Sequence, residues 1–207
     1  RAELLDDLAA DLAAVTSALD GARTDADRAG LTEAAARIAA LAAGCCVDLG
    51  HRREARHMWR LARRLADESG AASTRVWVRG REAVLGLYSG RPLPVVLDLA
   101  EQAQAIDPAG RGTGRAELCA AQAQALAMMG RRDEAIEALH ATERALDALP
   151  PGRGDTIYDW TERELRHTES YVYGLVGTAA EADSARDRAL AVLPTEVGDR
   201  DTTVEIQ

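Results

Sequence analysis

One short segment recurs along this chain and limits what the chain can fold into. Gly50-His-Arg-Arg-Glu-Ala55 returns as Gly130-Arg-Arg-Asp-Glu-Ala135 and as Gly177-Thr-Ala-Ala-Glu-Ala182, with a degenerate copy at Gly90-Arg-Pro-Leu-Pro-Val95. The glycines at 50, 90 and 130 lie 40 residues apart, and the one at 177 follows after 47. Helix-patterned runs flank each copy. A glycine there supplies the left-handed backbone position that ends a helix without a Cβ penalty. The small residue five positions on lets the next helix approach closely. A motif of this period predicts an array of helical hairpins.

The runs between the glycines carry apolar residues at helical spacing. The first repeats Leu4, Leu5, Leu8, Leu12, Val15 and Leu19 and ends at Gly21. Residues 22–30 read as a polar connection. Further helices are predicted over about 32–49, 53–68, 73–88, up to 106, 114–129, 133–149, 161–176 and up to 193, with no strand pattern among them. Pro92 suits a first helical turn. Pro150-Pro-Gly-Arg-Gly154 breaks the chain and opens one long connection through Trp160, which stretches the last interval. Thr161-Glu-Arg-Glu164 has the form of a capping box. The fold class expected is all-α, about nine helices in a right-handed α-solenoid of hairpins. Residues 1–30 form an N-terminal helix and connection, 31–194 the repeat domain, and 195–207 the start of a further repeat. The chain opens at Arg1 and closes as Thr203-Val-Glu-Ile-Gln begins another periodic pattern, which predicts a piece of a longer protein.

Composition narrows the function classes. The net charge is −9, which argues against nucleic-acid contact by this chain, because such affinity comes from neutralising phosphates. All 25 basic residues are arginine, and lysine, asparagine and phenylalanine are absent. These three have AT-rich codons, so a GC-rich genome accounts for part of the alanine and arginine content. No apolar run nears the roughly 20 residues of a membrane span, and no basic-then-apolar leader is present. The expectation is a cytoplasmic protein without membrane contact. Cys45, Cys46 and Cys119 lack metal-ligand spacing and read as small packing residues in a reducing compartment. No zinc-binding His pair, nucleophile elbow or phosphate-binding loop occurs, so no metal, cofactor or catalytic activity is expected. Met128 and Met129 read as gap-filling core. Arg52, Arg56, Arg60, Arg63 and Arg64 lie at roughly helical spacing, either as an anion-binding face or as a solvated one neutralised by Glu54, Asp67 and Glu68.

Position by position the chain resembles the tetratricopeptide repeat. Ala43, Gly50, Ala55, Trp59 and Ala62 match its small, turn and aromatic positions in one unit, and Ala123, Gly130, Ala135 and Leu139 match in another. A further unit has Tyr173, Gly177, Ala182, Ala189 and Pro194. The unit at Ala83 and Gly90 fits with one extra residue, which brings Ala103 and Pro108 into place. Thr142 stands where alanine is expected. The order Ala55-Arg-His-Met-Trp-Arg-Leu-Ala-Arg-Arg-Leu-Ala-Asp-Glu-Ser-Gly70, then Val78-Arg-Gly, Leu87-Tyr-Ser-Gly90 and Trp160-Thr-Glu-Arg-Glu-Leu-Arg-His-Thr-Glu-Ser-Tyr-Val-Tyr173, is similar to the C-terminal region of actinobacterial Cro/C1-type helix-turn-helix regulators.

That resemblance implies a regulatory domain that touches DNA only through an upstream DNA-binding domain, with a homodimer as the expected assembly. It also implies a concave groove lined by the first helix of each hairpin. The residues it nominates are Trp77, Arg81, Val84 and Tyr88, then Glu117, Gln124 and Met128, then Glu164, His167 and Tyr171. The groove's ligand is a small molecule, a peptide or a protein partner. Peptide receptors of this architecture grip the peptide backbone with asparagine, which this chain lacks; Gln124 is the amide in that position. The alternative is a protein–protein scaffold with no DNA-binding role.

Overall fold

The computed structural model describes residues 1–108, 110, 112–149 and 160–193. Within them the chain is all-α. The helices are α1 (Ala2–Asp20), α2 (Asp25–Asp48), α3 (Arg52–Ser69), α4 (Ala72–Tyr88), α5 (Leu93–Ile106), α6 (Thr113–Met128), α7 (Arg132–Asp147), α8 (Glu162–Val176) and α9 (Ala179–Ala191). The contacts divide the chain into two compact units, Arg1–Gly110 and the residues from 112 onward. In the first, α2–α3 and α4–α5 are hairpins, α4 packs on both α2 and α3, and α1 lies on α2. In the second, α6–α7 and α8–α9 are hairpins, and α8 packs on both α6 and α7. The breaker at 150–154, the residues from 194 onward and the pattern at 203–207 lie outside the described residues.

Three of the four recurring glycines end a helix in the same way. Gly50, Gly90 and Gly130 have φ of 75°, 73° and 71°. The residue after each donates its N–H to a carbonyl five positions back: His51 to Cys46 at 2.8 Å, Arg91 to Gly86 at 2.9 Å and Arg131 to Leu126 at 2.9 Å. Each glycine donates to the carbonyl three back, completing a Schellman turn. The copy at Gly90, degenerate in sequence, is therefore regular in structure.

The copy at Gly177 is the exception. Its φ is −79° and ψ 170°, and no five-back bond forms; its N–H donates to Tyr173 O at 2.8 Å. The next residue, Thr178, caps α9 in a capping box with Glu181. Glycine is required here for space, since a Cβ would meet Tyr173 O at 2.5 Å. At Gly50, Gly90 and Gly130 a Cβ would meet nothing within 4 Å, and glycine is required for conformation alone.

The helix α2 begins earlier than its sequence pattern predicts. Thr24 is extended and its hydroxyl accepts from Asp27 N at 3.0 Å, with Asp25 and Asp27 in the first turn where the helix dipole favours them. Residues 25–30 are polar because they are mostly exposed, not because they are unwound. The division expected at 30/31 therefore falls inside α2. By length and composition α2 could also cross a membrane, contrary to the expectation that no run is long enough; half of its apolar window is buried inside the fold. Its apolarity comes largely from alanine, which adds little burial area per residue.

Small residues dominate the core. Ala35, Ala36, Ala39, Ala40, Ala42 and Ala43 are all buried on α2, and Ala83 and Ala123 occupy the matching position of α4 and α6. On the second helices, Ala55, Trp59, Ala62 and Ala66 are buried on α3, Val96, Leu99, Ala100 and Ala103 on α5, and Ala135 and Leu139 on α7. The one-residue offset in α5 holds: Val95 is exposed and Val96 is fully buried. Thr142 is fully buried, and its hydroxyl donates to Ala138 O at 2.9 Å, which satisfies the polar group that replaces alanine. Of the family-matched small positions, Ala182 is only half-buried. The three cysteines are buried free thiols.

Replacing Gly50, Gly90 or Gly130 by alanine is expected to cost about 1–2 kcal/mol each in denaturant unfolding, the penalty of a left-handed non-glycine residue. Gly177→Ala is expected to cost more, because backbone must move. Gly30→Ala, in open space within α2, is expected to gain about 0.8 kcal/mol.

Candidate functional site

The ten nominated groove residues fall into both units. On α4, Trp77 is buried, Arg81 and Val84 are half-buried, and Tyr88 is exposed. In the second unit, Glu117 and Gln124 are buried on α6, and Gln124 Nε2 donates to Thr168 Oγ1 on α8 at 3.3 Å. His167 and Tyr171, one turn apart on α8, have ring centroids 6.4 Å apart and planes tilted by 42°. Met128 is exposed together with Met129, so this pair is not the gap-filling core expected from sequence: both sit on the outside of the last turn of α6, where the chain turns at Gly130.

Glu164 is committed to structure. Its carboxylate accepts from the Thr161 amide at 2.9 Å, from the Thr161 hydroxyl at 2.5 Å and from Arg163 Nε at 3.0 Å, closing the capping box predicted at 161–164. Burial pushes its pKa up, but these donors outweigh burial and hold it below the usual value.

A cavity of about 370 Å³ opens on the other face of α4. Its walls are α3, the α4–α5 turn and α5, and its lining includes Arg52, Arg56, Arg63, Arg91, Trp59 and Val95. The turn chemistry builds it. Left-handed Gly90 directs the Arg91 amide onto Gly86 O. The Arg91 side chain then lies across Gly86, where an added Cβ would meet Arg91 Cδ at 3.3 Å. It reaches Glu82, one turn further back on α4. Glu82 is fully buried, and its two carboxylate oxygens accept from Arg91 and from Arg63 of α3. Three segments are tied through one carboxylate.

The five arginines of α3 do not form one face. Arg52, Arg56 and Arg63 line the cavity, whereas Arg60 and Arg64 flank His57 and Leu61 in a separate shallow depression. The expected neutralisation by acids of α3 holds only for Arg64, 3.7 Å from Glu68. Asp67 serves α4 instead, accepting from Arg75 at 2.9 Å and Arg79 at 2.8 Å. Burial works against its ionised form, but Arg79 and Arg75 prevail and its pKa is lowered. Among the described residues neither Arg52 nor Arg56 has a carboxylate partner. Across the cavity, Asp98 accepts from Gln102 at 2.8 Å.

The second unit contains a filled counterpart. Arg132 stands two residues after Gly130, as Arg52 does after Gly50. Its guanidinium donates to Val176 O at the end of α8, and to both carboxylate oxygens of Glu181 at 3.0 and 3.1 Å. Glu181 also accepts from the Thr178 amide at 2.7 Å and hydroxyl at 2.9 Å. The Thr178 amide, then Arg132, then the Thr178 hydroxyl hold its pKa down to about 2.

Sequence reasoning missed Glu82 and Arg91. A signal for Glu82 existed, because it lies eight residues before its glycine, and Glu169 lies eight before Gly177. That position faces inward in both hairpins: Glu169 is buried and accepts from Arg166 at 2.9 Å and Arg188 at 3.3 Å. A carboxylate at an inward position needs a cation, and arginine is the only fixed one this chain has. Comparison with protein-family models, with curated proteins and with solved structures found no match.

Glu82→Gln is expected to destabilise the chain by about 3 kcal/mol, the scale of breaking a buried ion pair, measured by urea unfolding. The Glu181 carboxyl is expected to titrate near 2 by NMR and to move up toward ordinary glutamate values in Arg132→Ala. Since this pKa is depressed on folding, its contribution to stability is complete above the ordinary glutamate value of 4.5 and is lost as pH falls toward about 2.

Proposed function

We propose that the chain is the sensing module of a bacterial transcription regulator, a tetratricopeptide-like solenoid that binds a small molecule, peptide or protein partner and passes the event to a DNA-binding domain elsewhere in the protein. The observation that carries the sensing role is the position of the cavity. Its walls come from two successive hairpins, α3 of one and α4–α5 of the next. An occupant therefore touches both, and binds best to one arrangement of them; differential affinity for two arrangements is what a sensor requires. Several ties between these hairpins are polar: Thr74 to Glu33 at 2.5 Å, Arg75 and Arg79 to Asp67, and Arg63 to Glu82. Small changes in hairpin packing would propagate along a repeat array, because each repeat contacts only its neighbours. The connection to transcription rests on the sequence resemblance.

Native mass spectrometry of the purified chain is expected to reveal a noncovalent adduct that mild activation removes. Hydrogen exchange after its removal is expected to rise in α3, α4 and α5 together. A chain that carries no adduct, and whose exchange is the same in buffer and in a low-molecular-weight cell filtrate, would favour the scaffold alternative.

A further inference from the structure

We infer that the cavity between α3 and α4–α5 is a binding site for a small organic anion, one carboxylate or phosphate group on an apolar body. The inference deepens the sensing reading and rests on it for its regulatory meaning. Its geometry stands on four observations.

The first is charge. Four arginines line the cavity against two carboxylates, Glu82 and Asp98, in a chain whose net charge is −9. The second is donor capacity. Arg63 and Arg91 each give one terminal nitrogen to Glu82. A guanidinium carries five N–H donors in a planar fork suited to carboxylate and phosphate, so both retain donors, and neither has a nitrogen buried without a partner. Glu82 thus fixes two guanidinium groups at the wall while Arg52 and Arg56 stand at the rim.

The third observation is internal to the repeat. Arg132 shows what the arginine two places after the glycine does when the motif's glutamate follows the turn of the next hairpin: it takes both oxygens of Glu181. In the first unit the turn of the next hairpin runs Gly90-Arg-Pro-Leu-Pro-Val95-Val96, and the extra residue puts Val95 where the glutamate would stand. Val95 is exposed and lines the cavity with Arg52. The arginine is present, no carboxylate takes that place among the described residues, and Arg52 and Val95 face the cavity instead. A ligand carboxylate or phosphate would supply what Glu181 supplies in the second unit.

The fourth is the remaining lining. Trp59, Val95 and Leu99 offer apolar contact for the body of such a ligand, and about 370 Å³ lies within the usual range for small-molecule sites. Asp98 on the far wall disfavours a second anionic group, and so selects a single charged head.

The test uses the whole chain and three probes, benzoate, phenyl phosphate and uncharged benzyl alcohol, followed by the Nε–H resonances of Arg52 and Arg56. Either anion is expected to bind saturably, at least about tenfold more tightly than the alcohol, as charge-assisted hydrogen bonds imply, and to weaken with salt. The tighter anion names the head group. Arg52→Ala is expected to weaken binding by at least about tenfold, and Arg60→Ala, on the separate depression, to leave it unchanged. Should Arg52→Ala fail to fold, Val95→Glu provides an independent reading: it restores the missing carboxylate, and is expected to abolish anion binding and to give a new carboxyl that titrates below the usual glutamate range. The inference is overturned by equal affinity for benzoate and benzyl alcohol, by no binding of either anion at about 10 mM, or by undiminished benzoate binding in Val95→Glu. Those results leave the sensing reading standing. An absent adduct and unchanged hydrogen exchange would remove that reading whatever benzoate does.

Discussion

The hydrogen bond from the residue after the glycine to a carbonyl five places back does more here than end a helix. It forms only with φ near +70° at the glycine, and it sets where the next two side chains emerge. After Gly90 the next residue is Arg91, laid across Gly86 onto Glu82. Two after Gly50 and Gly130 come Arg52 and Arg132, the first residues of α3 and α7, each beside the turn of the following hairpin. The polar architecture of both units is referenced to these turns. At Gly177 the turn takes a different form, and there a capping box with Glu181 replaces the five-back bond, on the same glutamate that receives Arg132.

A core built so largely of alanine gives each helix a close approach but little apolar area to bury, at about 25 cal/mol per Å². Alanine surfaces also slide past one another with little steric preference. Buried and half-buried carboxylates supply the missing registration. Glu82 admits one relation of α3, α4 and the α4–α5 turn, Glu33 and Thr74 pin α2 to α4, and Glu169 holds α8 to α9. Such pairs add modestly to net stability, because desolvation offsets attraction, but losing one partner is costly. They specify geometry more than they add to its strength.

The helices were legible because glycine, proline and apolar period act locally. Helix ends came within a residue or two wherever a glycine marked them. The start of α2 was not legible, since residues 25–30 are polar through exposure and the cap at Thr24 lacks the glutamate of a capping box. The one-residue offset at Val95 and Val96 was legible from the spacing of Ala103. The cavity was not. The family resemblance directs attention to Trp77, Arg81, Val84 and Tyr88, one face of α4, whereas Glu82, Gly86 and Ser89 lie on the opposite face and line the open space. Spacing along α3 groups five arginines that the fold divides, because it says nothing of which acids on α4 and α5 will come to meet them. Whether Arg64 finds Glu68 is a local question; whether Arg63 finds Glu82 is a tertiary one.

Every fixed cation in these networks is a guanidinium, since the chain has no lysine. A guanidinium keeps its proton beyond pH 12, so the partners that lose charge within the working range are the acids. The ties at Asp67 and Glu181 therefore have an acid limit and no corresponding alkaline one. A protein registered by lysine–carboxylate pairs would loosen at both ends of the pH scale. Here the arginines keep their charge far into base, so alkali leaves both partners of these ties ionised.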